Sequence, residues 1–194
     1  MTQRERQAAI RREQLLAAAL TLFSEQGFHA TTIADIANAT GTAHGLIYHY
    51  FTSKEELVGA ILDRYSFLPQ LRHLLAVASG RPASEVLGEI AVGFSNMLSE
   101  RRQLLRLVVR ESQTNETVAR ALADLMDQGN QALTGYLEAR IDASELRPHD
   151  PTVVARALFW SIVVMHLTEG AVPRFERDLV EVLLHGILAR PQPT

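Results

Sequence analysis

The chain has 194 residues, 47% hydrophobic and 21% charged, a composition of soluble globular domains with length enough for a real core. It has no cysteine, which excludes disulfides and thiolate metal sites, and its formal charge of −3 gives no global attraction to nucleic acid. Contact with a polyanion would have to rest on local charge.

Residues 4–26 read as one amphipathic helix, with Leu15, Leu16, Ala19, Leu20 and Phe23 at helical spacing and Gly27 ending it. Its N-terminal end is charged and lacks an apolar core with a cleavage site, so no signal peptide is expected. Arg4, Arg6, Arg11 and Arg12 stand against Glu5 alone, a local charge of +3. Arg4, Arg6, Arg11 and Arg12 fit either a solvated face or an arm reaching DNA.

Thr32 and Asp35 make a capping-box variant that opens a second helix through Ile33, Ile36 and Ala37. Gly41 suits the left-handed residue at a helix end. Thr42 is expected to cap a third helix running to about Tyr48, and Ser53 a fourth that opens at Lys54. Two short helices about a tight turn form the helix-turn-helix pattern. The second is about 10 Å long at 1.5 Å per residue, a fit to the B-DNA major groove of about 12 Å.

The helix from Lys54 carries Leu57, Ile61, Leu62 and Tyr65, and a bend or end is expected near Pro69. Further helices are expected from Pro82, over residues 101–112 with Leu104, Leu105, Val108 and Val109 inward, and from Asn115 to about Ile141. Asp150 caps the next, with Pro151 at its first position, and a last one carries Leu179, Leu183, Leu184 and Ile187. The longest apolar stretch, Ala157 to Met165, falls short of the about 20 residues a membrane helix needs. No strand alternation appears. The chain reads as all-α, with about nine helices, no membrane contact and a cytoplasmic location.

Residues 12–57 resemble the DNA-binding domain of TetR-type transcriptional regulators. The resemblance rests on Arg12-Glu13, Leu15-Leu16, Ala18-Ala19, Leu22-Phe23, Gly27-Phe28, Thr31-Thr32, Ile36-Ala37, Gly41, Gly45, Tyr48, Tyr50-Phe51 and Ser53-Lys54-Glu55-Glu56-Leu57, with spacing kept throughout. It implies a three-helix DNA-binding domain over residues 1–53 and an effector-binding and dimerisation domain over 54–194. Implied contacts to double-stranded DNA come from Thr31, Thr32, Thr42, Ala43, His44, Gly45, Leu46, Tyr48, His49 and Lys54. Thr42 and Ala43 replace the family's common Val-Ser, so Thr42 is expected to supply cap and phosphate contact together. Leu46 stands where the family often has a small polar residue; it can meet a thymine methyl but cannot hydrogen-bond a base. Taken alone, Tyr48 is a core aromatic, His49 a solvated histidine and Lys54 a surface lysine. The family's pattern makes each a phosphate contact.

A two-turn reading helix makes few contacts, and two copies across a twofold axis add them on a palindromic operator. Residues 152–168 are apolar almost all round, which suits either a central core helix or a homodimer interface. The family's four-helix interface favours the second, with Ala157, Trp160, Ser161, Val164, Leu183, Leu184 and Ile187. For an unidentified small-molecule effector, Phe94, Met97 and Met126 offer apolar walls, and Arg110, Gln113 and Asn130 polar contacts. His166 reads as a hydrogen-bonded core histidine. No HExxH, nucleotide-type glycine loop or GxSxG is present, so neither enzyme activity, metal nor cofactor is expected. The expected function is a homodimeric, effector-released repressor. The alternative is a helical protein-interaction adaptor, which would have no use for phosphate contacts.

Overall fold

The computed structural model describes residues 2–168 and 172–186, and among them the chain forms ten α-helices and no strand. They are α1 (Gln3–Gln26), α2 (Ile33–Thr40), α3 (His44–Tyr50), α4 (Lys54–Tyr65) and α5 (Leu68–Ala76). After them come α6 (Ala83–Glu100), α7 (Arg102–Glu111), α8 (Glu116–Asp142), α9 (Pro151–Thr168) and α10 (Phe175–His185). The all-α expectation is met. The chain packs as two compact units, Met1–Ser66 with Arg102–Met126, and Phe67–Arg101 with Asp127–Thr194. Packing groups α4, α7 and the start of α8 with the first three helices, so the first unit extends past residue 53.

In the first unit, Thr2 and Glu5 form a complete capping box at the start of α1. The first buried residue of that helix is Leu15, and residues 2–10 are all exposed. Leu15, Leu16, Ala19 and Phe23 enter a core shared with Ile36, Ile47, Phe51, Leu57 and Ile61. Gly27 ends α1 at φ 87°, a conformation that favours glycine. The Thr32 hydroxyl accepts the Asp35 N–H at 3.1 Å, and the Asp35 carboxylate accepts the Thr32 N–H at 2.8 Å. The Thr32 hydroxyl and amide hold the Asp35 carboxyl below the usual carboxylate range. At the other end of α2, the Thr42 N–H reaches the Ala37 carbonyl at 2.9 Å and the Gly41 N–H the Asn38 carbonyl at 3.2 Å. Gly41, at φ 59° and ψ 31°, is the left-handed residue of this Schellman turn.

α7 departs from its expected inner face. Leu104, Leu107, Val108 and Glu111 are the buried positions, while Leu105 and Val109 are half-buried. The i, i+3, i+4, i+7 spacing was obscured because its last member is charged. Glu111 is tolerated there because His29 Nε2 lies 3.1 Å and Arg110 Nε 3.2 Å from its carboxylate oxygens.

A bend or end was expected near Pro69; the structure shows an end, followed in the second unit by a new helix with Pro69 in its first turn. α4 stops at Tyr65, and α5 takes Pro69 into its first turn, where the missing N–H costs nothing. This break gives ten helices instead of about nine. Asp150 accepts the Thr152 and Val153 N–H groups at 2.9 and 3.3 Å and caps α9, as expected. α9 packs on α6 and α10 through Leu158, Phe159 and Ile162. Contrary to expectation, it is long and apolar enough to cross a membrane by length and composition alone. His166 is buried, with Nδ1 3.0 Å from the Ile162 carbonyl and Nε2 3.0 Å from Ser99 Oγ. Its role is that of a hydrogen-bonded core histidine, as read from sequence.

Thr32→Ala should lower the unfolding free energy by about 1 kcal/mol in chemical denaturation. The lowered Asp35 value means that its capping contribution is full above the ordinary carboxylate range and is lost as pH falls through the folded value. The wild-type advantage over Thr32→Ala should therefore shrink on acidification. An advantage that grows toward acid would contradict the cap.

Candidate nucleic-acid interface

α3 is held by few residues and exposes the rest. Ile47 is fully buried and Phe51, just past the helix, nearly so, with Tyr50 half-buried beside them. The Arg12 guanidinium lies 5.2 Å above the Phe51 ring. These contacts turn His44, Gly45, Leu46, Tyr48 and His49 outward. Leu46 is 40% exposed and Tyr48 50%, high values for large apolar side chains beside a well-packed core. The rings of His44 and Tyr48 meet edge to face at 5.5 Å, one helical turn apart.

The start of α3 differs from the sequence reading. The cap residue is Ala43, which offers no side-chain acceptor. Thr42 is one place too early to cap; its hydroxyl instead donates to the Thr40 carbonyl at 3.4 Å and accepts from Arg11 Nη1 at 3.4 Å. Thr32 is exposed but engaged in the α2 capping box.

Two other expected contacts prove to be structural. Thr31 is fully buried, and its hydroxyl is satisfied by the Gly27 carbonyl at 2.8 Å and the Leu22 carbonyl at 3.2 Å. Lys54 Nζ donates to the carbonyls of Phe28 at 2.7 Å, Thr31 at 2.9 Å and His29 at 3.5 Å. The same ammonium sits 4.4 Å from the Phe28 ring centre. An ammonium has three donors, and here three carbonyls take them. Lys54 is a clip on the loop between α1 and α2, not a free cation.

Sequence reasoning left the N-terminal half of α1 between a solvated face and an arm reaching DNA, and in the structure it lines a groove. Arg4, Gln7, Ile10, Arg11 and Gln14 line a groove of about 550 Å³ whose other wall is Leu46 and Tyr50 of α3. The signal was the seven-residue spacing of Arg4 with Arg11 and of Gln7 with Gln14, which puts all four on one helical face.

The expected effector contacts fall in both packed units. In the second, Phe94 is buried, with its ring 5.5 Å from that of Phe67 and 5.1 Å from that of Phe159. Met97 is half-buried, and Asn130 is only 7% exposed with no partner for its Oδ1. In the first, Met126 is half-buried, whereas Arg110 and Gln113 are exposed rather than inward. The reason is local: α7 ends here, Arg110 pairs with Glu111, and the Gln113 amide donates to the Val109 carbonyl at 3.4 Å. Of the expected dimer residues, Trp160 is 48% and Val164 51% exposed on one stripe of α9, with Val153 exposed further along it. Ala157, Ser161, Leu183 and Leu184 are half-buried, and Ile187 lies outside the described residues.

Residues 15–61 match the family described as bacterial regulatory proteins, tetR family, and residues 85–169 match the AefR-like transcriptional repressor C-terminal domain. Over 72 residues the chain is 49% identical to the HTH-type transcriptional repressor KstR2 of Rhodococcus jostii (strain RHA1), covering 36% of this chain and 34% of that protein. It is 36% identical over 91 residues to the HTH-type transcriptional regulator BetI of Serratia proteamaculans (strain 568), 45% of this chain and 46% of that one. The matched segments thus span less than half the length of these curated relatives. Among solved structures, Salmonella enterica GusR superposes with a TM-score of 0.77 at 23% identity, over 89% of this chain and 93% of its own. The transcriptional regulator FadR from Bacillus subtilis, in complex with stearoyl-CoA, gives 0.74 at 19% identity over 91% and 99%.

Lys54→Met keeps the aliphatic stem but leaves three loop carbonyls without their charged donor. It should cost about 1.5–3 kcal/mol of stability, the range for hydrogen bonds to a charged group, in thermal or denaturant unfolding. A Lys54→Met protein of wild-type stability would show that the clip carries no load.

Proposed function

The chain belongs to the TetR family of bacterial regulatory proteins, and from that premise we propose that it is a homodimeric transcriptional repressor that leaves a palindromic operator when a small molecule binds. Members of the family are regulators, not enzymes. The observation that carries the reading is the outward face of α3, where Ile47 and Phe51 anchor the helix and His44, Gly45, Leu46, Tyr48 and His49 stay exposed. In the major groove, Leu46 would contact a thymine methyl and His44 a base edge, with Gly45 allowing close backbone approach. Tyr48 and His49, together with Thr32, Thr42 and Ala43 at the flanking helix starts, would lie along the phosphates. Direct readout of this kind is modest, so specificity depends on two copies.

The exposed stripe of Val153, Trp160 and Val164 on α9 supports dimerisation, because isolated domains seldom leave so large an apolar strip open. Ala157 and Ser161 border this stripe, and Leu183 and Leu184 of the last helix would complete the four-helix contact. For the effector, the second unit offers the Phe67, Phe94 and Phe159 rings with the unpartnered amide oxygen of Asn130. An apolar ligand carrying one hydrogen-bond donor suits these groups, with Met97 of the same unit as a flexible wall. A protein of this fold in complex with stearoyl-CoA is in keeping with a largely apolar ligand. Release requires only that the ligand bind the DNA-free conformation better than the bound one. A regulator of this type acts where the chromosome is, in the cytoplasm.

Titration of the purified protein against its own upstream intergenic duplex and a scrambled one tests the reading. Specific binding should involve two protomers, or a multiple, per site. Leu46→Ala and His44→Ala should each cost about 1–3 kcal/mol on the specific duplex and little on the scrambled one. Equal losses on both would refute base readout. Trp160→Glu should weaken dimerisation by roughly 100-fold, about 3 kcal/mol for an unpaired carboxylate buried at an interface. Sedimentation that still gives wild-type dimer would remove α9 from the interface.

A further inference from the structure

We propose that the N-terminal half of α1 is a second DNA-contacting element, in which Arg4 and Arg11 grip the phosphate backbone beside the site occupied by α3. The inference rests on the regulator reading above and extends it to a helix face that the reading does not use.

Residues 2–10 touch no core, yet they continue a regular helix whose first turn is closed by the Thr2–Glu5 capping box. Such a projecting, capped helix presents its side chains from a fixed frame, so little ordering entropy is lost on binding. Its groove-facing side carries Arg4, Gln7, Arg11 and Gln14, all hydrogen-bond donors, and the wall opposite is α3 itself through Leu46 and Tyr50. The bond from Arg11 to Thr42 ties this face to the turn between α2 and α3 at 3.4 Å.

No carboxylate lines the groove. The acidic residues nearest in sequence are engaged elsewhere, Glu5 in its cap and Glu13 with Arg64 Nε at 2.8 Å and Tyr65 Oη at 2.9 Å. The exposed apolar lining residues are Ala8, Ile10 and Leu46, too few for a protein-docking surface, whereas the arginines and glutamines suit a polyanion. Arg4 and Arg11 are seven residues apart, about 10 Å along the helix, far enough for each to meet a different phosphate of the backbone. This arrangement also resolves how a chain of net charge −3 binds DNA: the residues 1–12 segment carries a local +3 and delivers it next to the reading helix.

The test uses the full-length protein and the duplex that the wild type enriches from a random pool, with affinity measured across a salt series. Arg4→Gln combined with Arg11→Gln should reduce the slope of log affinity against log salt by about two per protomer. At low salt the loss should be tenfold or more on specific and scrambled duplexes alike, and re-selection with the variant should return the same consensus. Arg120→Gln, which removes an exposed charge elsewhere in the same unit, should leave the slope unchanged; circular dichroism and melting verify that all variants fold. An unchanged slope in the folded double variant overturns the proposal, as does an equal fall with Arg120→Gln. A changed consensus would assign these arginines to bases and overturn the backbone contact. Failure of the wild type to enrich any duplex would instead strike the regulator reading itself.

Discussion

The single lysine of the chain fixes the geometry on which the reading helix depends. Lys54 stands at the first position of α4, where its charge opposes the helix dipole and gains nothing locally. It is stabilised by reaching across to the loop between α1 and α2, where the carbonyls of Phe28, His29 and Thr31 surround its ammonium. The same loop is gripped from the other side by the Thr31 hydroxyl, bonded to the carbonyls of Leu22 and Gly27. Thr32 then starts α2 immediately, and α3 follows after one Schellman turn. A short helix anchored by Ile47 and Phe51 has little hold of its own, so its direction is inherited from this loop.

α7 follows α6 in the chain, beyond the four helices that carry the family resemblance, yet it packs with them and contributes Leu104, Leu107 and Val108 to their core. Its last residue, Glu111, is buried, with His29 Nε2 and Arg110 Nε beside its carboxyl oxygens. His29 belongs to the loop that Lys54 clips. The loop is therefore held at three points, by α1, α4 and α7, and α7 is as much part of the reading unit as α4.

Helix starts and stops were legible because caps are local chemistry. Thr32 with Asp35, Gly41, Ser53 and Asp150 with Pro151 each act within one turn of their position, so residue type and spacing suffice. Thr42 shows the limit: the Schellman turn spends Thr42 on closing α2, and the start of α3 moves one residue on. Contacts across the chain were not legible. Thr31 and Lys54 look like surface residues in sequence, and only folding, which closes their separation of 23 in sequence, reveals that each serves the loop. Glu111 likewise breaks the apolar pattern of α7 because its partner is 82 positions away at His29. The effector residues were the least legible, since a residue lining a pocket and a residue filling a core share one composition; the exposure of Arg110 and Gln113 follows from where α7 ends.

The central claim is that a short, weakly reading helix gains specificity through twofold repetition. Enrichment of a random duplex pool by the purified wild-type protein, followed by sequencing, tests it most directly. The account predicts an inverted repeat whose half-site centres lie about one helical turn, or a multiple of it, apart. Enrichment of a single unpaired half-site would contradict the dimeric mechanism, and no enrichment at all would contradict the assignment of α3 as a reading helix.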